Sequence, residues 1–440
     1  MGEKVSRYKE MSKRYGDPWI WGIYLTLVVL SIVESYSASS RDVALYGVYN
    51  PIIKQVIYLG IGSAFVVGLS RVNYNNKTLL LVLIPLLWVF TLFSLIYVLF
   101  FGEVVYGAQR AFTIPVINLS VQPSELAKLS AVTALAYIMA KNQQDRDVST
   151  KGVAVSSLIV AMFGALMIKS GLTNTLLLMC ISGSMFVVGG AKWKKIGAVI
   201  MIYAVVACVF YFWKEASDKR EENLKKYTTE QVEDVDKNKV VDRHDMRKGR
   251  VSNWMRRDSL IYDSINSSNS QEMFSIMAQA HGGLTGVGIG NSRECSRLPL
   301  AFSDYIFSII IEEIGMIGGV FVLILYLWLL SRAAMIARRC HRVLPALLII
   351  GMASMITFQA LFHMAINTGV FPVSGQPLPL ISKGGTSILV TSVAIGVMLS
   401  VSRTISNITD SKNKDEGLKL PSGLDAANPT EMPIKNEWKN

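Results

Sequence analysis

The chain has 440 residues, 51% of them hydrophobic and 17% charged, with a formal net charge of +12. The apolar residues gather in blocks of roughly 20, the length that crosses a bilayer as a helix, which excludes a string of soluble domains. A nucleic-acid partner is also excluded. The basic residues sit in short loops suited to anionic headgroups, and no stretch interleaves them with stacking aromatics.

The expected fold class is an all-α integral membrane protein of about ten transmembrane helices. A polar, basic leader over 1–18 comes first. Spans then follow near 19–39, 52–69, 78–100, 121–140, 153–168, 172–190 and 195–213. A large polar insertion fills 214–303, and spans near 304–331, 343–366 and 384–403 come after it. The tail, 404–440, is polar and expected to be disordered. Lys13 and Arg14, Arg71 and Lys77, Lys141 and Lys151, Lys192 to Lys195, and Arg332 to Arg342 fall in alternate loops. By the positive-inside rule the chain is N-in and C-in, and the large insertion lies outside. SYSASS near residue 40 resembles a cleavage site, but the preceding apolar core is too long for a signal peptide, so a retained anchor is expected. Cys180, Cys208, Cys295 and Cys340 lack the paired spacing of a disulfide framework or a metal site.

After the third span, FGEVVYGAQRAFTIPVINLSVQPSELAKLS carries Gly107, Pro115 and Pro123, so it folds at the outer interface before re-entering. Pro123 suits the first turn of a helix, as does Glu125. Glu125 and Lys128, spaced i, i+3, share one face. They make either a self-neutralising pair at a helix start or a buried pair that positions backbone from within the membrane.

In the insertion, 214–250 has mixed charge and reads as a solvated helix or a partly disordered loop. The later AHGGLTGVGIGNS is not a nucleotide loop, because no Lys-Ser/Thr follows and no strand–helix context is visible. Its glycines let the backbone turn tightly and approach a ligand or another helix.

At RLPLAFSDYIFSIIIEEIGMIGG a hydrophobic helix opens on Asp304, with Glu312 and Glu313 deeper. Carboxylates among apolar residues are costly, and a functional role is their default reading. At about 100° per residue Glu313 falls opposite Asp304, and Glu312 lies nearly a quarter turn away, about 12 Å deeper. Asp304 is therefore the chemical group, and the two glutamates pack the helix.

Gln359, His363 and Asn367 recur at spacing four on the ninth span, a polar stripe facing the bundle interior or a wet cavity. NTGVFPVSGQPLPLISKGGTS then cannot form a continuous helix and reads as a broken segment packed inside protein. Lys383 within it either meets a phosphate or carboxylate or snorkels to the interface.

Three stretches, in order, resemble one family. VQPSELAK is similar to "QPSE-x-xK", FSDYIFSIIIEEIGMIGG to "T-D-F-I-F-…-E-E-x-G-x-x-G", and FPVSGQPLPLISKGGTS to "P-V-T-G-x-P-L-P-F-I-S-x-G-G-S-S". They are the signatures of the SEDS family (FtsW, RodA and SpoVE), and the resemblance covers roughly residues 20 to 405. GQPLPLISKGGTS and AFSDYIF look most like the FtsW members. GAQRAF keeps Arg110 but has Ala111 where many members have Trp, and KSGLTNT lacks the Pro and Asp usual at that junction.

The resemblance implies a bacterial inner-membrane glycosyltransferase that polymerises lipid II, works beside a class B penicillin-binding protein and other divisome membrane proteins, and acts at the septum. Asp304 becomes the catalytic base. The implied substrate-binding set is Arg110, Lys383, Ser382 and Ser387. Gln122, Glu125, Lys128, Gln359, His363 and Asn367 shape the cavity. Asp304 could instead hold a divalent cation, Mg or Mn, on the pyrophosphate; no other cofactor is implied. The alternatives are a lipid II flippase and a non-catalytic division scaffold. A flippase often carries internal repeats, and none relates the two halves.

Overall fold

A computed structural model describes residues 10–38, 49–74, 82–105, 108–114, 119–144, 147–168, 171–204, 254–255, 265, 269–298, 301–410 and 427–430. The expectation for 214–250 therefore lies outside the described residues.

Ten long helices carry the fold: α1 (Pro18–Ser37), α2 (Tyr49–Arg71), α3 (Ile84–Phe101), α4 (Pro123–Lys141), α5 (Thr150–Ile168), α6 (Leu172–Val188), α7 (Ser270–Gly282), α8 (Ile306–Ala337), α9 (Val343–Asn367) and α10 (Gly385–Asp410). Residues 193–204 are also helical. Every expected span thus meets helix. Six helices among the described residues are long and apolar enough to cross a membrane, and Ile84–Val98 and Thr173–Val188 are shorter apolar ones. α4 falls below that apolar level because it carries Glu125, Lys128 and several Ser and Thr, yet most of it is buried.

Helix starts follow local chemistry. Pro18 opens α1 behind Asp17, whose carboxylate accepts from the amides of Trp19 at 2.9 Å and Ile20 at 3.4 Å. The same carboxylate pairs with Arg332 at 2.6 Å, tying the start of α1 to the end of α8. Pro123 likewise opens α4.

Burial separates an inner set of helices from an outer ring. The best apolar window of α9 is 94% buried and that of α10 78%, against 22% for α2. The polar stripe of α9 needs partners that lipid cannot supply, and α9 packs against α4, α6, α8 and α10. Close approach needs small residues: a Cβ on Gly351 would stand 2.5 Å from Val132 of α4. The outer ring presents apolar side chains outward, among them Phe93 and Phe100 of α3 and Ile317 of α8.

α8 departs from expectation. It begins at Ile306 and runs 32 residues, about 48 Å, longer than one bilayer crossing. Its first part, Ile306 to Glu313, is buried, and its outward apolar residues begin at Met316. The helix is interrupted at Gly315 (φ 84°, ψ 179°).

The all-α expectation also meets a small sheet. β1 (Glu103–Val105), β2 (Ala108–Ile114) and β3 (Leu119–Val121) form an antiparallel meander where an irregular interfacial turn was expected. A two-residue pair, β4 (Gln143–Gln144) with β5 (Asp147–Val148), closes the α4–α5 turn. Within 404–440, α10 continues to Asp410 and residues 427–430 lie against the α8–α9 turn; the rest lies outside the described residues.

Candidate functional site

The site end of the bundle is built around α9. Its three polar residues, one turn apart, each reach a different piece of backbone. Gln359 donates through Nε2 to Pro377 O at 3.2 Å, and His363 donates through Nδ1 to Gln376 O at 2.6 Å. Asn367 donates through Nδ2 to Asp304 O at 3.0 Å and to His363 O at 2.9 Å. The stripe is thus a ladder, because residues four apart stack on one helix face and the loop lies along it. A carbonyl only accepts, so the His363 proton sits on Nδ1, leaving Nε2 to accept from Asn367 Nδ2 at 3.3 Å.

Glu125 and Lys128 extend the ladder to α4. Lys128 Nζ lies 2.7 Å from Glu125 Oε1 and 2.6 Å from Gln359 Oε1. Both side chains are almost fully buried. A buried ammonium needs both an opposite charge and hydrogen-bond acceptors, and here it has the two together. Of the two sequence readings, the buried pair that positions backbone is the one this geometry supports.

The segment 371–384 is broken as expected, and its turn is strained. Leu380, fully buried, holds φ 66°, a conformation that non-glycine residues rarely adopt. Such strain costs on the order of 1–3 kcal/mol and persists only where the surroundings fix it. The hydroxyl of Tyr326 donates to Pro379 O, and Ser382 Oγ accepts from Leu378 N at 2.7 Å.

Two bonds bring this loop beside Asp304. Ser382 Oγ donates to Ser303 O at 2.8 Å, and Lys383 N donates to Phe302 O at 3.0 Å. Asp304 and Lys383 therefore sit on adjacent stretches of chain, next to residues paired with each other. Lys383 Nζ stands 4.7 Å from the centre of the Phe302 ring, a cation–π contact. Asp304 is partly exposed, at a turn two residues before α8.

The remaining expected residues divide. Ser382 is buried with its hydroxyl engaged on both sides, so it fastens the loop and does not face a ligand. Ser387 is buried, and its hydroxyl meets no hydrogen-bond partner among the described residues. Gln122 contributes backbone: its amide donates to Thr386 Oγ1 at 3.3 Å, and that hydroxyl donates to Ser120 O at 2.7 Å. Arg110 lies on β2, joined through β3 to the start of α4.

Sequence reasoning missed α7. Ser275 and Gln279 present one helical face: Ser275 Oγ lies 2.7 Å from Ser308 Oγ, and Gln279 Nε2 donates to Asn367 O at 2.7 Å. Asn367 thus joins α7, α8, α9 and the Asp304 turn. The spacing of four between Ser275 and Gln279 was the available signal. A cavity lined by Trp254, Glu272, Tyr305, Asn367 and Phe371 opens beside this junction.

Glu312 and Glu313 belong to a different structure. Glu312 Oε1 accepts from Arg293 N at 2.9 Å and Oε2 from Ser292 Oγ; Glu313 accepts from Ser37 Oγ. Their carbonyls accept from Val287 N and Gly288 N, both at 2.9 Å, and Met316 N donates to Gly283 O at 2.9 Å. The glycine segment is therefore docked into the break of α8. A Cβ on Gly286 would meet Glu313 O at 2.2 Å, and one on Gly315 would meet Leu284 O at 2.2 Å. This is the close approach expected of the glycines, and its target is a helix.

No group of three or more His, Cys, Asp and Glu gathers among the described residues to hold a metal. Asp304 with these neighbours does not make a metal cage, so no step is routed through a cation.

A family model, FtsW/RodA/SpoVE, described as cell cycle protein, matches residues 18–407. The chain is 27% identical over 434 residues to the probable peptidoglycan glycosyltransferase FtsW of Bacillus subtilis, covering 94% of this chain and 97% of that one. It is 25% identical over 396 residues to the peptidoglycan glycosyltransferase MrdB of Escherichia coli, covering 88% and 93%. A solved chain described as "Structural coordination of polymerization and crosslinking by a peptidoglycan synthase complex" superposes with TM-score 0.62 at 25% identity, covering 89% and 98%. The rod shape determining protein RodA of Thermus thermophilus shares the fold, with TM-score 0.57 at 22% identity over 89% of this chain and 97% of that one.

Proposed function

This chain belongs to the FtsW/RodA/SpoVE family, and on that premise we propose that it is a peptidoglycan glycosyltransferase that polymerises lipid II. The observation that carries the reading is the junction of the Asp304 turn with the Lys383 loop, joined by the Ser382 hydroxyl on Ser303 O and the Lys383 amide on Phe302 O, with Asp304 partly exposed. In the reaction a sugar 4-hydroxyl attacks the anomeric carbon of a second lipid II, and undecaprenyl pyrophosphate leaves. Asp304 takes the hydroxyl proton as the new bond forms. Lys383 and Arg110 offset the charge that develops on the pyrophosphate. Attack opposite the leaving group converts an α-linked donor into a β-1,4 link.

Glu125, Lys128, Gln359, His363 and Asn367 hold the loop and the Asp304 turn in register, and Ser382 fastens one to the other. Ser387 and Gln122 line the same end. We read the chain as ten spans with N-terminus and C-terminus in the cytoplasm. The ends of α2, α4, α8 and α10 that carry Arg71, Lys141, Arg332 and Arg403 then face inward. The site end, with 214–303, faces the periplasm or cell exterior. The partner is a class B penicillin-binding protein, and resemblance to FtsW members favours the division septum.

The test is polymerisation of labelled lipid II by the purified chain, alone and with its transpeptidase. Asp304→Asn should leave insertion and thermal stability intact and abolish polymer. Normal polymer yield from that variant would remove Asp304 from the chemistry. No polymer from the unaltered chain, even with its partner, would point to transport or scaffolding.

A further inference from the structure

Helix ends leave their last carbonyls without intrahelical partners, and α8 ends in the turn 338–342. In this chain Ala337 O, which also accepts from Cys340 N at 3.1 Å, and the turn carbonyls of Cys340 and His341 are met by a residue far along the chain. Asn428 Nδ2 donates to Ala337 O at 3.0 Å and to Cys340 O at 2.8 Å, and Asn428 N donates to His341 O at 2.9 Å. Ala427 forms an antiparallel bridge with Arg342. Asn428 Oδ1 accepts from Thr430 N at 3.1 Å and Thr430 Oγ1 at 2.9 Å, which curls the segment into an Asx turn around Pro429. The side chain is 5% exposed, and both its amide hydrogens and its oxygen are engaged.

We propose that the α8–α9 turn is a peptide-docking site, occupied by the chain's own segment Ala427 to Thr430 with Asn428 as its anchor. The recognition is specific to an asparagine. Two donors on one short side chain meet two carbonyls, while its oxygen closes the local turn. Aspartate would set an acceptor against two acceptors, and alanine would leave Cys340 O without its donor and Ala337 O with the Cys340 amide alone. The connection from Asp410 spans residues 411–426, whose extended reach is up to roughly 50 Å. A tether of that length supplies an effective concentration on the order of millimolar, enough to keep a weak four-residue contact occupied. The clip fastens the inner end of α8, the helix whose other end begins two residues after Asp304.

The test uses the full chain in membranes, with Cys340→Ala to remove the neighbouring thiol. Arg342→Cys with Ala427→Cys places two cysteines at bridge partners, whose Cα separation suits a disulfide. Mild oxidation followed by mass spectrometry should find the 342–427 cross-link as the main product. Adding Asn428→Ala or Asn428→Asp should each slow its formation about tenfold or more, the loss expected for two buried hydrogen bonds. No cross-link in the parent pair, or a rate unchanged by both substitutions, overturns the docking. A loss with alanine but not with aspartate would overturn the amide recognition.

Discussion

The buried ionisable residues at the site end form two groups that face opposite ways and are satisfied by different means. Toward the Asp304 turn, Glu125 and Lys128 neutralise each other, Gln359 and His363 carry hydrogen bonds from α9 to the broken loop, and Asn367 carries one to Asp304 O. At the break of α8, Glu312 and Glu313 are met by backbone amides and serine hydroxyls of the docked glycine segment and α1, with His281 of α7 3.8 Å from Glu312. The first group is a side-chain ladder at helical spacing, which can hold a loop without fixing every backbone atom. The second is a backbone clasp, which tolerates nothing larger than hydrogen where the chains cross.

The largest expected effect comes from breaking the ladder's charge pair. Glu125→Ala leaves Lys128 buried and uncompensated, and should cost about 3–5 kcal/mol of stability. Glu125→Gln combined with Lys128→Met should recover most of that loss in thermal unfolding of the purified protein. A double variant as unstable as the single one would show that the pair's charge is not what matters.

The clasp should yield next. Gly286→Ala forces a Cβ toward Glu313 O at a backbone φ of 79°. A loss of about 2–3 kcal/mol is expected from strain and displacement together, read as a lowered melting temperature. If Gly286→Ala is silent, the glycine segment is not seated in the α8 break.

Asn367→Ala separates positioning from stability. It removes the bonds to Asp304 O and Ser308 and should cost about 1–3 kcal/mol. Lipid II polymerisation should fall further than the folded fraction does. Equal falls would make Asn367 a packing residue alone.

The smallest effect lies at a surface pair that controls for burial. Asp147 is 2.8 Å from Lys195 and 3.5 Å from Lys192. Partial burial acts to raise its carboxyl, but Lys195 and Lys192 outweigh that and hold it below the ordinary carboxylate range. Its contribution is therefore present above about pH 4 and fades as pH falls through the lowered folded value. Asp147→Asn should cost under about 1 kcal/mol at pH 7 and less at pH 3, read as the shift in melting temperature at each pH.

Much of the ladder was legible beforehand. Glu125 and Lys128 share a face because three residues make most of a turn, and Gln359, His363 and Asn367 align because four residues make slightly more than one. Asp304 does stand apart from Glu312 and Glu313, but by lying in the turn before α8 and not by the helical arithmetic, which assumed a helix opening on Asp304. The clasp was legible only in part. Glycines at 282, 283, 286, 288 and 290 announced a close approach, but nothing local names its target. Ser382 entered the substrate-binding set through the family resemblance; only the seat against Ser303 shows its hydroxyl already engaged.

The sequence by itself determined a helical membrane bundle, its polar faces and the carboxylate at the head of α8, because hydropathy and helical period act over a few residues. The tertiary structure decided what those faces touch. It set Lys383 beside Asp304, opened α8 at Gly315 to receive the glycine segment, and brought Asn428 to the end of α8. Each is a hydrogen bond between backbone groups or side chains far apart in the chain, and such pairings leave no local period to read.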